Sequence, residues 1–479
     1  MPDLMHAVLG GLARAECWLS AGVPWLACGD RPRTRGGRIV FAVVGRGRDP
    51  RPQLSAAAGS PGAPGFTSVI CDRSFGALSG ALFISLVGDQ FARVALSVLV
   101  YARTGSGLLT GGVYALSFLP AVLGGPLLNG LADRLPRRQV MVGCDLVRMG
   151  LVLVMALPEV PLGVLFVLIA AVTMCEAPFD AARGALVADV LTGERYPVGN
   201  AISQLVVQAA QVLGFAIAGG LLVAVSPRAL LGLDAATFLA SAALVRVGVS
   251  HGLLAAELAT EGGGVTLGVR GRTHRAWADF RLAISVVLED SRLRPLVIVV
   301  WVIAAAAVAP EALAVPYAAR LGGGTVTVGL LLAANPVGNV CNGLLVARLG
   351  ARRRRLLTPL ALLAVGPLLL CLADPPLALV LAILLLSGAG MAVNIVASTS
   401  FVQTVAADVR GRALGLVGTG LAAGQGIALA GAGAISDLVG PAKAVGLIGL
   451  LGATVVLSQI PALRKASGGG RPGCYSRSR

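Results

Sequence analysis

The chain has 479 residues, of which 56% are hydrophobic and only 13% are charged, and its mean hydropathy is +0.83. A soluble domain of this length would need far more charged surface, so the composition indicates an integral membrane protein. The net charge of +16 does not indicate nucleic-acid binding, because aromatic residues make up only 4% of the chain and the arginines come in short runs between apolar stretches. The eight cysteines are scattered and form no CxxC pair, so we expect neither a metal site nor a cofactor.

Residues 1–74 differ in composition from the rest of the chain. Seven arginines between positions 31 and 51 lie among Gly, Pro and Ser, without a sustained apolar run. Residues 5–29 are similar to a signal peptide, but Arg14 and Glu16 interrupt their apolar core. We interpret residues 1–74 as a disordered, Arg-rich cytoplasmic extension; the alternative is that residues 1–70 come from upstream of the true start. We place no function there.

From Phe75 onward the sequence consists of apolar runs of roughly 17–25 residues, the length that crosses about 30 Å of hydrocarbon as a helix. Twelve such runs, numbered spans 1 to 12, lie at 75–100, 108–131, 140–157, 162–180, 201–225, 230–249, 296–317, 326–347, 356–373, 377–398, 414–437 and 443–463. The predicted fold is therefore an all-α membrane protein with twelve transmembrane helices in two six-helix bundles, at 75–249 and 295–464. A cytoplasmic linker with a short amphipathic helix occupies 250–294, and 465–479 form a disordered cytoplasmic tail.

Lysine and arginine are distributed unevenly between alternate loops, and this asymmetry predicts the orientation in the membrane. One set of loops contains most of the basic residues, whereas the other set contains only Arg103, Arg228, Arg320 and Lys443. Because basic loops stay in the cytoplasm, we expect both termini and the linker to be cytoplasmic, in a multi-pass protein of the plasma membrane.

Two short cytoplasmic loops concentrate the charge, GLADRLPRRQ at 130–139 and GLLVARLGARRRR at 343–355. Each is the second loop of its six-span half, which predicts two pseudo-symmetric repeats with a site at their interface, as in secondary transporters. Topology alone would explain the arginines, but it would not explain Gly130 and Asp133.

The loop GLADRLPRRQV resembles the signature loop of the major facilitator superfamily. CDLVRMG, FDAARGALVADV and LDAATFLASA resemble the branch of that family that contains macrolide efflux pumps and the enterobactin exporter, and the resemblance covers roughly residues 75–464. It implies a monomeric, alternating-access transporter whose first loop latches the two bundles together and favours the outward-facing state. The implied latch residues are Gly130, Asp133, Arg134, Arg137, Arg138 and Arg183. Pro136 replaces the usual glycine, and Ala347 stands opposite Asp133 in the second copy, so we expect an asymmetric latch.

Acidic residues inside the predicted spans are functional candidates, because a charge at the bilayer centre costs about 2.5–3.5 kcal/mol. Asp89 and Arg93 lie four residues apart in span 1. Two interpretations are open: they neutralise each other within the helix, or Asp89 carries a coupling proton. In span 4, Glu176 and Asp180 lie beside Arg183, and we expect structural pairing there.

Glu311 in span 7 and Asp234 in span 6 are the other proton-coupling candidates. Glu311 follows Pro310, which we expect to break the helix. Spans 1 and 7 have equivalent places in the two halves, so Asp89 and Glu311 are predicted to face one cavity. For Asp234, packing and binding both remain open. No histidine lies in a span, so proton coupling would need a buried carboxyl group.

Polar side chains inside the spans predict a lined cavity, because amides facing lipid would be costly. With Arg93, the candidates for contact with substrate are Asn200, Gln204, Gln208, Gln211, Asn335, Asn339 and Asn394. Hydrogen bonding between helices is the alternative interpretation.

The leading functional hypothesis is a proton-coupled antiporter that exports a small hydrophobic compound such as a drug, a secondary metabolite or a siderophore. Its partners are that compound, protons and the lipid bilayer; the word exporter rests on the resemblance. An importer or facilitator on the same fold is one alternative, and a non-transporting receptor or scaffold is another, against which the buried acids argue. We expect no enzyme and no ATP-driven pump, since the chain has no Gly-rich phosphate loop ending in Lys-Ser/Thr.

Overall fold

The computed structural model describes residues 69–118, 135–249, 293–348, 356–405 and 409–467, together with residue 287 and residues 289–291. Secondary structure within these ranges is helical only. Twelve helical segments lie at the predicted spans and are numbered accordingly: α1 Arg73–Thr104, α2 Gly107–Leu116, α3 Arg137–Met155, α4 Leu162–Val190, α5 Arg195–Leu221, α6 Pro227–Gly248, α7 Leu293–Arg320, α8 Thr325–Arg348, α9 Leu357–Ala373, α10 Leu377–Thr404, α11 Arg410–Val439 and α12 Pro441–Ser467.

Length and composition make most of these segments suitable for crossing a membrane. Among the described residues, eight helices are long and apolar enough to do so, and shorter apolar helices lie in α2, α8 and α9. The remaining segment, α3, has 19 residues but carries Arg137, Arg138, Asp145 and Arg148. The predicted fold class, an all-α membrane protein, is confirmed, and the described helical segments are consistent with twelve helices.

Local sequence sets several of the helix ends. The Asp72 carboxylate accepts hydrogen bonds from the backbone N–H groups of Ser74 and Phe75 and so caps the start of α1. Ser226 caps α6 in the same way, and Pro227 follows it at the first helical position. Gly105 ends α1 with φ of 64°, a left-handed conformation that glycine adopts without a steric penalty.

The expected break in span 7 is wrong. Helix α7 is continuous from Leu293 to Arg320, although it contains Pro310 and Pro316. Neighbouring helices pack closely on small residues around these prolines, where Ala309 and Ala312 are fully buried. Proline is tolerated in a membrane helix when its surroundings compensate for the lost backbone hydrogen bond.

The two bundles repeat the same helix pairing. In the first bundle α1 packs against α5 and α6, and α3 packs against α6; in the second, α7 packs against α11 and α12, and α9 packs against α12. The bundles meet where α2 packs on α11 and α5 packs on α8. Helix α2 corresponds to α8 in the other half, and α5 corresponds to α11. The two interface pairs are therefore equivalent, so the arrangement has the predicted pseudo-symmetry.

The bundles are in close contact at the end of the molecule with the short connections, which we call the short-loop end. Its connections are 105–106, 156–161, 222–226, 321–324, 374–376 and 440. A Cβ atom on Gly219 of α5 would lie 2.6 Å from the Cα of Gly329 in α8, and one on Gly433 of α11 would overlap the carbonyl oxygen of Gly107 in α2. Small residues of this kind let helix backbones touch. This end of the described structure is closed.

Candidate transport site

Helix α3 places a buried arginine at the centre of the first bundle. Arg148 is 2% exposed, and its Nη2 lies 2.6 Å from Asp89 Oδ1 of α1 and 3.6 Å from Glu176 Oε1 of α4. Its Nη1 lies 4.0 Å from Asp145 Oδ1, one turn earlier on α3, and the guanidinium carbon lies 4.3 Å from the ring centre of Phe238 in α6. Carboxylates on one side and an aromatic face on the other hold this cation away from lipid.

A close crossing of α1 and α6 adds another acid to this group. A Cβ atom on Gly88 would overlap Thr237 Oγ1 and Asp234 Oδ1, so only glycine lets α6 come this near. Asp234 is fully buried, and within the described part of the chain its Oδ2 has no hydrogen-bond partner. Asp145 is also fully buried, and its Oδ2 accepts a hydrogen bond of 2.7 Å from Ser241. We call Asp89, Asp145, Arg148, Glu176 and Asp234 the charge cluster.

The charge cluster contains more acid than base. Four carboxyl groups surround one guanidinium, and the half-buried Arg93 lies beside them and lines the same cavities. Unbalanced negative charge is costly in a low-dielectric interior, because water no longer solvates it. Protons bound to carboxyl groups would remove that cost. The chemistry available to the cluster is therefore the uptake and release of protons.

Two cavities adjoin the charge cluster in the first bundle. Asp89, Arg93 and Glu176 line both of them. Asp234 lines the first, whose walls are otherwise mostly apolar, including Val113, Val152, Met155, Ile169 and Val172. Ser85, Arg148 and Asp180 line the second. The acids thus border space inside the protein, where water or a ligand group could reach them.

Of the three predicted coupling acids, the structure brings Asp89 and Asp234 into one cluster. Glu311 is half-buried on α7, in the other bundle, and Arg93 is the cation whose charge acts on it. Neither described cavity beside the cluster includes Glu311. A cavity shared by Asp89 and Glu311 therefore stays a prediction.

The pairings expected within single helices are only partly found. Asp89 forms its ion pair with Arg148 of α3 and not with Arg93 of its own helix. Asp180 does pair with Arg183, at 3.4 Å, but Glu176 points to Arg148. Sequence reasoning did not single out Arg148 or Asp145 as site residues. The sequence signal that could have identified them is their spacing: Asp145 and Arg148 lie three positions apart inside the apolar run of span 3.

The predicted amide lining is divided between exposed and half-buried positions. Asn200 and Gln204 are exposed on α5, whereas Gln208 and Gln211 are half-buried. The half-buried amides of the second bundle are Asn335, Asn339 and Asn394. Gln208 Oε1, Asn335 Nδ2 and Asn394 Oδ1 are buried atoms without a hydrogen-bond partner among the residues described. Contact with a substrate remains a prediction for these side chains.

The predicted latch is only partly described. Gly130, Asp133 and Arg134 lie outside the described residues. Arg137 forms an ion pair with Asp189 of α4, and Arg138 donates a hydrogen bond to the carbonyl of Arg246 in α6. These contacts tie the start of α3 to its own bundle.

Comparison with protein families gives one match, to the family described as the Major Facilitator Superfamily, over residues 78–429. None of the curated proteins compared with the chain matches it.

Solved structures of transporters share this fold. The nucleoside transporter NupG superposes with a TM-score of 0.64 at 13% identity, covering 82% of this chain and 99% of that protein. The peptide transporter POT in complex with sulfate has a TM-score of 0.64 at 14% identity, covering 84% and 96%. A bacterial homolog of the human lysosomal transporter Spinster, in an inward-facing and occupied conformation, has a TM-score of 0.60 at 13% identity, covering 82% and 96%. At these identities the similarity establishes the fold alone.

Proposed function

Because the family match spans most of the chain, this protein belongs to the major facilitator superfamily, and we propose that it is a proton-coupled exporter of a small hydrophobic compound. One observation carries the proton coupling: the charge cluster places four carboxyl groups around one arginine inside a membrane bundle. Family membership supports transport across the membrane, and the charge cluster supports protons as the driving ions.

Proton binding at Asp89 would change the contacts that hold the first bundle together. The ionised Asp89 binds Arg148 at 2.6 Å, whereas a protonated Asp89 loses most of that attraction. Helix α1, which carries Asp89 and Arg93, also contacts α7 of the second bundle, which carries Glu311. A change in protonation at the cluster would therefore reach the other bundle through α1, which is what coupling between proton and substrate requires.

Support for a hydrophobic compound comes from the cavity walls and from the sequence. The cavity beside Asp89 is bordered mostly by Val, Leu, Ile, Met and Ala side chains. Motifs resembling those of macrolide efflux pumps and the enterobactin exporter support export. The solved structures include a nucleoside and a peptide transporter, so importers on this fold remain the alternative.

Orientation follows from the distribution of basic residues. We place both termini in the cytoplasm of a monomeric plasma-membrane protein, and this puts the short-loop end outside. Close contacts at Gly219, Gly329, Gly107 and Gly433 would then close the outer end.

The test is transport into liposomes that contain the purified protein and carry an imposed pH gradient, with tetraphenylphosphonium, erythromycin and enterobactin as probes. We expect gradient-driven accumulation of at least one probe, with proton counterflow. Asp89→Asn and Glu311→Gln should each lose the accumulation, because neither variant can carry the proton at that position. Asp374→Asn, which removes an exposed acid at the short-loop end, is the matched control and should transport normally.

Transport that ignores the pH gradient and survives Asp89→Asn and Glu311→Gln would contradict proton coupling. The protein would then be a facilitator on the same fold.

A further inference from the structure

We propose that Glu176 of α4 is a proton relay, which passes protons between water and the buried ion pair of Asp89 and Arg148. Protons would then travel inside the first bundle. This inference rests on the proposed proton coupling and adds a residue and a route to it.

The acids of the first bundle form a series of decreasing exposure. The side chain of Asp180 is 62% exposed, that of Glu176 is 27% exposed and that of Asp89 is 10% exposed. Asp180 and Glu176 lie four residues apart on α4, so they share one face of the helix. Glu176 is therefore the intermediate step between an acid in contact with solvent and the buried cluster.

A continuous cavity connects the members of this series. Asp180, Glu176, Asp89, Arg93 and Arg148 all line the same space. Its lining is polar enough to hold water, because water in a cavity needs several hydrogen-bonding partners. Beyond it, Glu176 also lines the cavity that reaches Asp234, whose Oδ2 is buried without a hydrogen-bond partner in the described part of the chain. That atom is a second destination for a proton leaving Glu176.

The contacts of Arg148 allow Glu176 and Asp89 to exchange roles. One nitrogen, Nη2, lies 2.6 Å from Asp89 and 3.6 Å from Glu176. When Glu176 passes its proton to Asp89, the O–H bond of Glu176 breaks, that of Asp89 forms, and the guanidinium turns from Asp89 to the newly ionised Glu176. The number of charges stays the same, so the transfer avoids the cost of an additional buried charge.

The charged and titratable groups around Glu176 are consistent with this role. Asp89 and Arg93 face it from α1, Arg148 from α3, and Asp180 from its own helix. Further off in the cluster are Asp145 of α3 and Asp234 of α6, and Cys144 and Cys175 complete the titratable side chains near Arg148. The two cations, Arg93 and Arg148, are thus outnumbered by acids. Because unbalanced negative charge is costly in the protein interior, a proton bound to one of the carboxyl groups is favoured.

The test follows the protonated-carboxyl C=O band in infrared spectra of the reconstituted protein after a step in pH. No substrate is needed. The band of interest is the one that disappears in Asp89→Asn. We expect Glu176→Gln to keep this band but to slow its response by on the order of a hundredfold, the usual scale for loss of a positioned proton-transfer group. Glu176→Leu should slow it further, because leucine also excludes water from the cavity.

Asp374→Asn, an equal change of charge outside the cavity, should respond like the unmodified protein. A normal rate in either folded Glu176 variant would overturn the relay. Loss of the whole band in Glu176→Gln would overturn it too, since Glu176 would then be the coupling carboxyl itself. Absence of any titrating carboxyl band in the unmodified protein would instead contradict the proposed function.

Discussion

At the scale of single residues, Arg148 explains why so many acids can be buried in one bundle. It contacts acids on α1, α3 and α4 and stacks on Phe238 of α6, so it links four helices. Each of these acids alone would be costly in a membrane. Of the two interpretations of Asp89, pairing with Arg93 of its own helix is not found; the carboxylate pairs with Arg148 of another helix.

Replacing this arginine should destabilise the protein more than replacing an exposed one. We expect Arg148→Met to lower the free energy of unfolding by about 3–5 kcal/mol, because it leaves buried carboxylates without their cation. The measurement is thermal unfolding of the purified protein in detergent, with Arg228→Met, at an exposed position of α6, as the control. Adding Asp89→Asn to Arg148→Met should recover part of the loss. Equal melting of Arg148→Met and Arg228→Met would contradict this account.

At the scale of helices, the short-loop end is held by a cap that crosses the bundle interface. The Asp437 carboxylate near the end of α11 accepts hydrogen bonds from Ser106 Oγ at 2.8 Å and from the backbone N–H groups of Gly107 at 2.5 Å and Leu108 at 3.1 Å. An acid at a helix N-terminus is stabilising there, and this one belongs to the other bundle. Opening of this end must break the cap.

Removing the cap should favour opening. Asp437→Ala should lose about 0.5–2 kcal/mol of closure, the usual value of a helix cap. The measurement is the distance between spin labels at Arg228 and Lys443, two exposed positions near the short-loop end, by double electron–electron resonance. We expect a larger population at long distance than in the unmodified protein. Asp374→Ala is the control, since it removes an acid at the same end that pairs with Arg320. An unchanged distance distribution in Asp437→Ala would exclude the cap as a restraint.

At the scale of the whole molecule, the bundles repeat in architecture but differ in chemistry. Among the described residues, every buried charged side chain lies in the first bundle: Asp89, Arg138, Asp145, Arg148 and Asp234. The buried polar residues described in the second bundle are three serines, Ser387, Ser400 and Ser436. The same fold therefore carries its fully buried charged side chains in one half, as far as the described residues show.

The proposed orientation can be tested by labelling cysteines from outside the cell. Lys443→Cys and Glu194→Cys place a thiol at exposed positions near opposite ends of the molecule, in a background without the native cysteines. Because the basic loops should be cytoplasmic, we expect a membrane-impermeant maleimide to label Lys443→Cys in intact cells and Glu194→Cys only after permeabilisation. The reverse pattern would invert the topology, and the closed short-loop end would then face the cytoplasm.

The sequence by itself determined the fold class and the list of intramembrane acids. A bilayer requires apolar runs long enough to cross it, and a charged residue is conspicuous in such a run. It also contained the family motifs. Only the tertiary structure decided which charges meet: Asp89 with Arg148 in place of Arg93, Glu176 with the same arginine, and Asp437 with a helix more than three hundred positions earlier. These contacts depend on where helices cross, and crossings depend on the close approach of small residues such as Gly88 and Gly433 from different parts of the chain. Each crossing depends on residues of both helices, so the sequence of one span does not predict which charges will meet.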